Sequence, residues 1–206
     1  MKISINNLNA EKMKTRGFTL AILVLLSLSC FAQESGKRLG IELNSGVSLA
    51  TKKMDGTTLN PGFGFEGILH YRFMPHLGIY AGWGWNRLGA DKSFAGNDVS
   101  FEETGYVFGL NFKHPLGTSK LAYYVRAGGL YNHIETENAN GDIINDTKHG
   151  FGYQFAGGID INLGKNWSLS PGVKFNSLSR DAEFERVPKK FDYQYISVRM
   201  GFLKKF

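Results

Sequence analysis

From Leu39 to the end of the chain, apolar and polar residues alternate with a period of two, the pattern of strands that bury or expose one face at a time. Eight such runs are legible. In the first, Leu39, Ile41, Leu43, Val47 and Leu49 oppose Gly40, Glu42, Asn44, Gly46 and Ser48. In the second, Phe63, Phe65, Leu69, Tyr71 and Phe73 oppose Gly62, Gly64, Glu66, His70 and Arg72. The third sets Ile79, Ala81, Trp83 and Trp85 against Gly78, Tyr80, Gly82, Gly84 and Asn86. The fourth sets Tyr106, Phe108, Leu110 and Phe112 against Gly105, Gly109, Asn111 and Lys113. The fifth, less regular, carries Leu121, Tyr123, Val125, Ala127 and Tyr131 opposite Tyr124, Arg126, Gly128 and Asn132. The sixth carries Phe151, Tyr153, Phe155, Ile159, Ile161 and Leu163 opposite Gly152, Gln154, Gly158, Asp160 and Asn162. The seventh is Trp167, Leu169, Val173 and Phe175 against Ser168, Ser170, Gly172, Lys174 and Asn176, with Pro171 as an interruption. The eighth is Ile196, Val198, Met200 and Phe202 against Ser197, Arg199 and Gly201. Tyr193 and Tyr195 are out of phase with it, which predicts a bulge near Tyr195.

The connections alternate in length. Long polar segments are predicted after odd-numbered strands, at Thr51–Asn60, Leu88–Ser100, Thr136–Lys148 and Ser179–Lys190. Short turns follow the even ones, near Met74-Pro75-His76, at His114–Lys120 and at Gly164-Lys165-Asn166. Short turns at one end and long loops at the other characterise transmembrane barrels of the bacterial outer membrane. A soluble barrel of eight strands points its apolar face inward, into a space barely wide enough for side chains. Here that face carries Trp83, Trp85, Phe108, Phe151, Phe155 and Trp167, too much ring volume for such an interior. The opposite face is glycine, serine, asparagine and a few charges. The sequence therefore predicts an all-β, eight-stranded antiparallel up-and-down barrel, aromatics toward lipid and polar residues toward the lumen. Trp83, Trp85, Tyr193 and Tyr195 are expected in an interfacial girdle toward the loops, and Tyr71, Phe73 and Trp167 toward the turns.

Ahead of the barrel, Lys12, Lys14 and Arg16 precede the uncharged run from Gly17 to Ser29, too short to cross a bilayer as a helix. With Cys30-Phe31-Ala32 supplying small residues at −3 and −1, residues 1–32 read as a signal peptide cleaved before Gln33, and translation starting at Met13 would still give a complete one. Residues 33–206 form the barrel domain. The rival is a lipoprotein acylated at Cys30. Removing the four basic residues and one acidic residue of the leader leaves 20 basic against 17 acidic side chains, near +3, so the overall charge of +6 gives little support to nucleic-acid binding. Cys30 is the only cysteine, which excludes an internal disulfide and a cysteine metal cluster.

The leader ending Phe31-Ala32-Gln33, the eight alternating strands and a last strand Ile196–Phe206 ending in an aromatic together resemble the small outer-membrane β-barrels typified by OmpX, the OmpA membrane domain and the PorT-like barrels. The resemblance covers about residues 37–206. It implies Phe202 and Phe206 as an assembly signal read by the barrel-assembly machinery, although Lys204 stands where an apolar residue belongs. It implies outer-membrane lipid as the other partner and leaves any extracellular ligand open. It also leaves function open, since one fold serves adhesins, anchors, enzymes and pores.

The candidate site is the charged group on the polar face: Glu42, Glu66, Arg72, Arg126, Asp160, Lys174 and Arg199. In a narrow lumen these charges must pair. They form either a rigid polar plug or the lining of a narrow channel. No cofactor and no metal site is expected: Asp142 and Asp146 lack the spacing of a calcium loop. His133 and His149 flank the third loop without the His-x-Ser pair or orienting carboxylate of a lipid-modifying enzyme, so no catalytic residue is assigned. The expected role is a non-enzymatic outer-membrane barrel that presents loops for binding, adhesion or envelope integrity. The alternatives are a channel for ions or small solutes, or a lipid-modifying enzyme.

Overall fold

The computed structural model describes residues 37–184 and 186–206; the expected leader, Cys30 and the cleavage point before Gln33 lie outside the described residues. Among the described residues nine strands follow in chain order: β1 (Leu39–Ala50), β2 (Gly62–Arg72), β3 (Leu77–Ser93), β4 (Gly96–Pro115), β5 (Leu121–Glu137), β6 (Ile143–Asp146), β7 (Gly150–Gly164), β8 (Trp167–Phe184) and β9 (Val187–Lys205). All but β6 form the ring β1-β2-β3-β4-β5-β7-β8-β9, every neighbour antiparallel. The ring closes where β1 meets β9, from Gly40↔Lys205 to Ala50↔Tyr195. Closure leaves no row of unpaired backbone groups facing lipid, the condition for a sheet to span a membrane. The short β6 continues the column of β7: β5 pairs with β7 as far as Asn132↔Gly150 and with β6 at Glu135↔Asp146.

The predicted facing holds through the middle of the wall. Ile41, Leu43, Phe65, Leu69, Phe108, Leu110, Phe155 and Val198 are exposed on the outside, while Glu42, Asn44, Glu66, Gln154, Ser170 and Ser197 are buried inside. Pro171 is tolerated: the β7–β8 ladder lapses beside it, where proline has no N–H to give, and resumes in the same register at Ile161↔Leu169. The turn Lys165-Asn166 between β7 and β8 has both residues at positive φ, the conformation of a tight two-residue hairpin.

Three expectations are corrected at the loop end. Leu88–Ser100 and Ser179–Lys190 do not fold as loops. They are continuations of β3–β4 and β8–β9, paired up to Ser93↔Gly96 and Phe184↔Val187. Strands of 17 to 20 residues result, where a tilted crossing needs about 9–11. Nor is there a bulge near Tyr195, since β9 keeps one register with both β1 and β8 through that point. Tyr193 and Tyr195 point inward and are buried, so they belong to no interfacial girdle.

The reason is a reversal of polarity along single strands. On β9, Arg199 and Ser197 fill the inner face within the membrane, followed inward by Tyr195, Tyr193 and Phe191, while the outer face passes from Val198 and Ile196 to Gln194 and Lys190. On β4, Glu103 is succeeded inward by Phe101 and Val99, and Tyr106 outward by Thr104 and Glu102. Above the lipid the surrounding medium is water, so apolar side chains turn inward as in any soluble sheet. Met54, Leu59, Leu88, Ala90, Val99, Phe101, Ile134, Leu178, Phe191, Tyr193 and Tyr195 thus form an apolar core that caps the barrel at its loop end. Met54 reaches it from the first loop, where the tight turn Asp55-Gly56, both at positive φ, folds the segment back on itself.

Candidate functional site: the lumen and its cap

Glycine on the inner face makes room for large side chains to cross the lumen. A Cβ at Gly109 or Gly128 would collide with the Tyr80 hydroxyl, and one at Gly158 or Gly172 with that of Tyr124. The two phenols flank Arg126, whose guanidinium carbon lies 4.7 Å from the Tyr124 ring centre and 6.0 Å from that of Tyr80. The Tyr80 hydroxyl accepts a hydrogen bond from Gln154 Nε2 at 2.9 Å.

Of the seven charged residues singled out from the sequence, Glu42, Glu66, Arg126, Asp160, Lys174 and Arg199 are buried in the lumen. Arg72 is not: it ends β2 at the exposed turn-side rim, where the inward face has already run out into solvent. Arg126 grips Glu42 in a two-point pairing, Nη2 to Oε2 at 2.5 Å and Nη1 to Oε1 at 3.1 Å. Glu66 takes Lys174 on Oε1, with Arg199 Nη1 3.5 Å from Oε2. Asn44 joins the two groups: its amide donates to Glu42 at 3.3 Å and more weakly to Glu66 at 3.5 Å, and its oxygen accepts from Arg199 at 3.0 Å. His70 Nε2 lies 3.0 Å from Glu42 Oε2, off the line of a good hydrogen bond. Asp160 stands apart toward the turns, with Lys113 at 2.5 Å and Lys205 at 3.6 Å.

Glu103 belongs to the same interior and was not expected there. It accepts from Asn132 at 2.7 Å and from the Tyr195 hydroxyl at 2.8 Å, joining the polar core to the apolar cap. The signal was its odd number on β4, in phase with Gly105 and Val107, visible once that strand is continued past Gly105. Glu42, Glu66, Glu103 and Asp160 are thus set against Arg126, Lys174, Arg199 and Lys113, a balance that lets a narrow lumen hold this many charges. A small cavity lies where the two layers meet, lined by Glu66, Asn86, Glu103, Asn176, Tyr195 and Arg199 among others, with room for about one water molecule. Over it, the Tyr193 hydroxyl donates to the carbonyl of Phe101 at 2.9 Å.

Phe202 is exposed on the outside of β9 and Phe206, just past its end, is exposed as well; the Phe206 N–H donates to the Leu39 carbonyl at 2.8 Å, which holds it to the closing seam.

A closed antiparallel ring with an apolar outer belt and a polar interior defines a transmembrane β-barrel. The chain matches the outer membrane protein beta-barrel domain family over residues 18–202 and belongs to it; the protein is an outer-membrane barrel of this family. None of the curated protein sequences matches it. Among solved structures, Neisserial surface protein A superposes with a TM-score of 0.57 at 14% identity, over 84% of this chain and 98% of that one. OprG from Pseudomonas aeruginosa gives 0.55 at 14% identity, with 84% and 98% covered. The E. coli outer membrane protein W gives 0.52 at 12%, with 84% and 100% covered. At these identities the likeness is one of fold.

Proposed function

We propose that this is a closed, non-enzymatic outer-membrane barrel whose work is done by the wall and hairpins it holds above the membrane. The observation that carries the reading is the sealed interior. The paired charges occupy the lumen, and the apolar core from Met54 to Tyr195 covers its loop end. A channel would need a continuous wet path, whereas the cavity between these layers holds about one water. The long β3–β4 and β8–β9 hairpins favour the presentation of a binding or adhesive surface to the exterior.

Purified protein reconstituted in planar bilayers is expected to give no stable unitary conductance. Reproducible single-channel steps from the wild-type protein, absent from a mock preparation, would overturn the closed-barrel reading in favour of a narrow channel.

On this reading the partners are outer-membrane lipid and, during insertion, the barrel-assembly machinery, with Phe202 and Phe206 as the recognised aromatics. Deleting Phe206 is expected to lower insertion in cells while the purified chain still folds into micelles. Loss of folding in both settings would make the effect one of stability, and normal insertion in cells would show that the residue is dispensable for recognition.

A further inference from the structure

Just above the lipid-facing belt, the outer wall of β5 changes character. Tyr131 and Phe151 pair across β5 and β7 as the last exposed aromatics there, with ring centres 5.0 Å apart. One outward position further along β5 stands His133, then Glu135, and β6 brings Asp146 alongside Glu135 in the ladder. His133 Nδ1 is 2.9 Å from Asp146 Oδ1 and 3.9 Å from Glu135 Oε1, and one ligand atom from each of the three residues falls within 4.8 Å of the other two. Ligands about 2.0–2.2 Å from a tetrahedral ion sit about 3.3 Å apart, so these separations bracket what such an ion requires.

We propose that His133, Glu135 and Asp146 form a surface site for a divalent metal ion of the zinc class, an assignment the sequence pattern did not suggest. One imidazole nitrogen with two carboxylates suits zinc or its transition-metal neighbours, whereas calcium and magnesium take oxygen donors. The three groups are held in place. Lys148, at positive φ, turns the chain so that its N–H donates to Asp146 Oδ1 at 2.9 Å. Thr147 ties the same turn to β5, its N–H donating to the Ile134 carbonyl at 3.0 Å and its hydroxyl accepting from the Ile134 N–H at 2.9 Å. The His149 ring stacks on His133, centres 4.4 Å apart, and fixes the plane of the imidazole. Three protein ligands leave a coordination position open to water or to an external group.

The test uses the barrel purified from outer membranes into detergent, stripped with chelator and titrated with Zn2+ by calorimetry. One saturable Zn2+ per chain is expected, not displaced by Ca2+ at equal concentration. His133→Ala should weaken binding at least tenfold. Asp146→Asn keeps a hydrogen-bonding group beside His133 and should do the same, which separates ligation from a latch that merely secures β6. Thermal unfolding followed alongside should rise with Zn2+ in the wild type and not in either variant. Absence of saturable binding in the wild type overturns the site. So does binding that survives both variants, or that is lost instead on His114→Ala, since the ion would then sit at the turn-side pair His76 and His114, whose rings are 4.6 Å apart.

Discussion

Replacing Glu42 with leucine is expected to cost about 3–5 kcal/mol of folding free energy, because it strands a buried cation. Arg126 loses both arms of its pairing at once, and among the described residues no second carboxylate lies within 4.0 Å of its guanidinium. Cation–π contact with Tyr124 and the Asn111 amide oxygen at 3.2 Å remain, but neither carries a negative charge. The double variant Glu42→Leu/Arg126→Leu should recover a large part of that loss, since replacing a buried pair by apolar residues of similar size is often close to neutral. The measurement is reversible urea unfolding in lipid vesicles, with the four corners of the cycle compared. If the single and double variants are equally destabilised, the pairing does not govern the stability of the lumen. If Glu42→Leu is harmless, the interior is wetter than the buried network implies, and the closed-barrel reading weakens with it.

The polar interior and the apolar exterior were legible in the sequence because one rule, period two, acts along every strand within the lipid. Glu42, Glu66, Arg126, Asp160, Lys174 and Arg199 could be picked out as inward by parity alone. Their partners could not, because pairing depends on depth, and depth depends on register between strands as remote as β1 and β5. The loop end was misread for a different reason. Parity continues without a break through Tyr195, Tyr193 and Phe191, but the medium outside changes from lipid to water, so the side that is apolar changes. An alternation that inverts its polarity while keeping its phase looks, in one dimension, like a bulge or a polar loop. The same inversion hid Glu103, which lies at the boundary, and it gives the sequence sign of the membrane surface: the point on each strand where inward residues turn from polar to apolar. The metal-ligand group was hidden more deeply. Glu135 and Asp146 become neighbours only because β6 takes over the place of β7 beside β5, a change of partner that no local pattern announces.

That boundary makes the second large effect a matter of position. Leu110 is 52% exposed on the outer wall, between Phe108 and Phe112 on its own strand and paired with Ile79 and Ala127 on either side. Leu110→Arg therefore places a guanidinium in hydrocarbon and is expected to destabilise the barrel in bilayers by about 2–4 kcal/mol. Thr104 lies on the same face of the same strand, three outward positions nearer the loops and beyond the exposed ring of Tyr106. Thr104→Arg should change stability by no more than about 0.5 kcal/mol, as for an ordinary surface substitution. Asn111→Ser, inside the wall, removes only the acceptor for Arg126 Nε and should cost about 1 kcal/mol. The three variants share one strand and differ in what surrounds the new side chain, so reversible folding into vesicles reads the solvent at each point. Equal costs at positions 110 and 104 would mean that the lipid reaches past the change of polarity on β4, and that the cap is built inside the membrane. A Leu110→Arg variant as stable as the wild type would remove position 110 from the lipid-facing wall altogether.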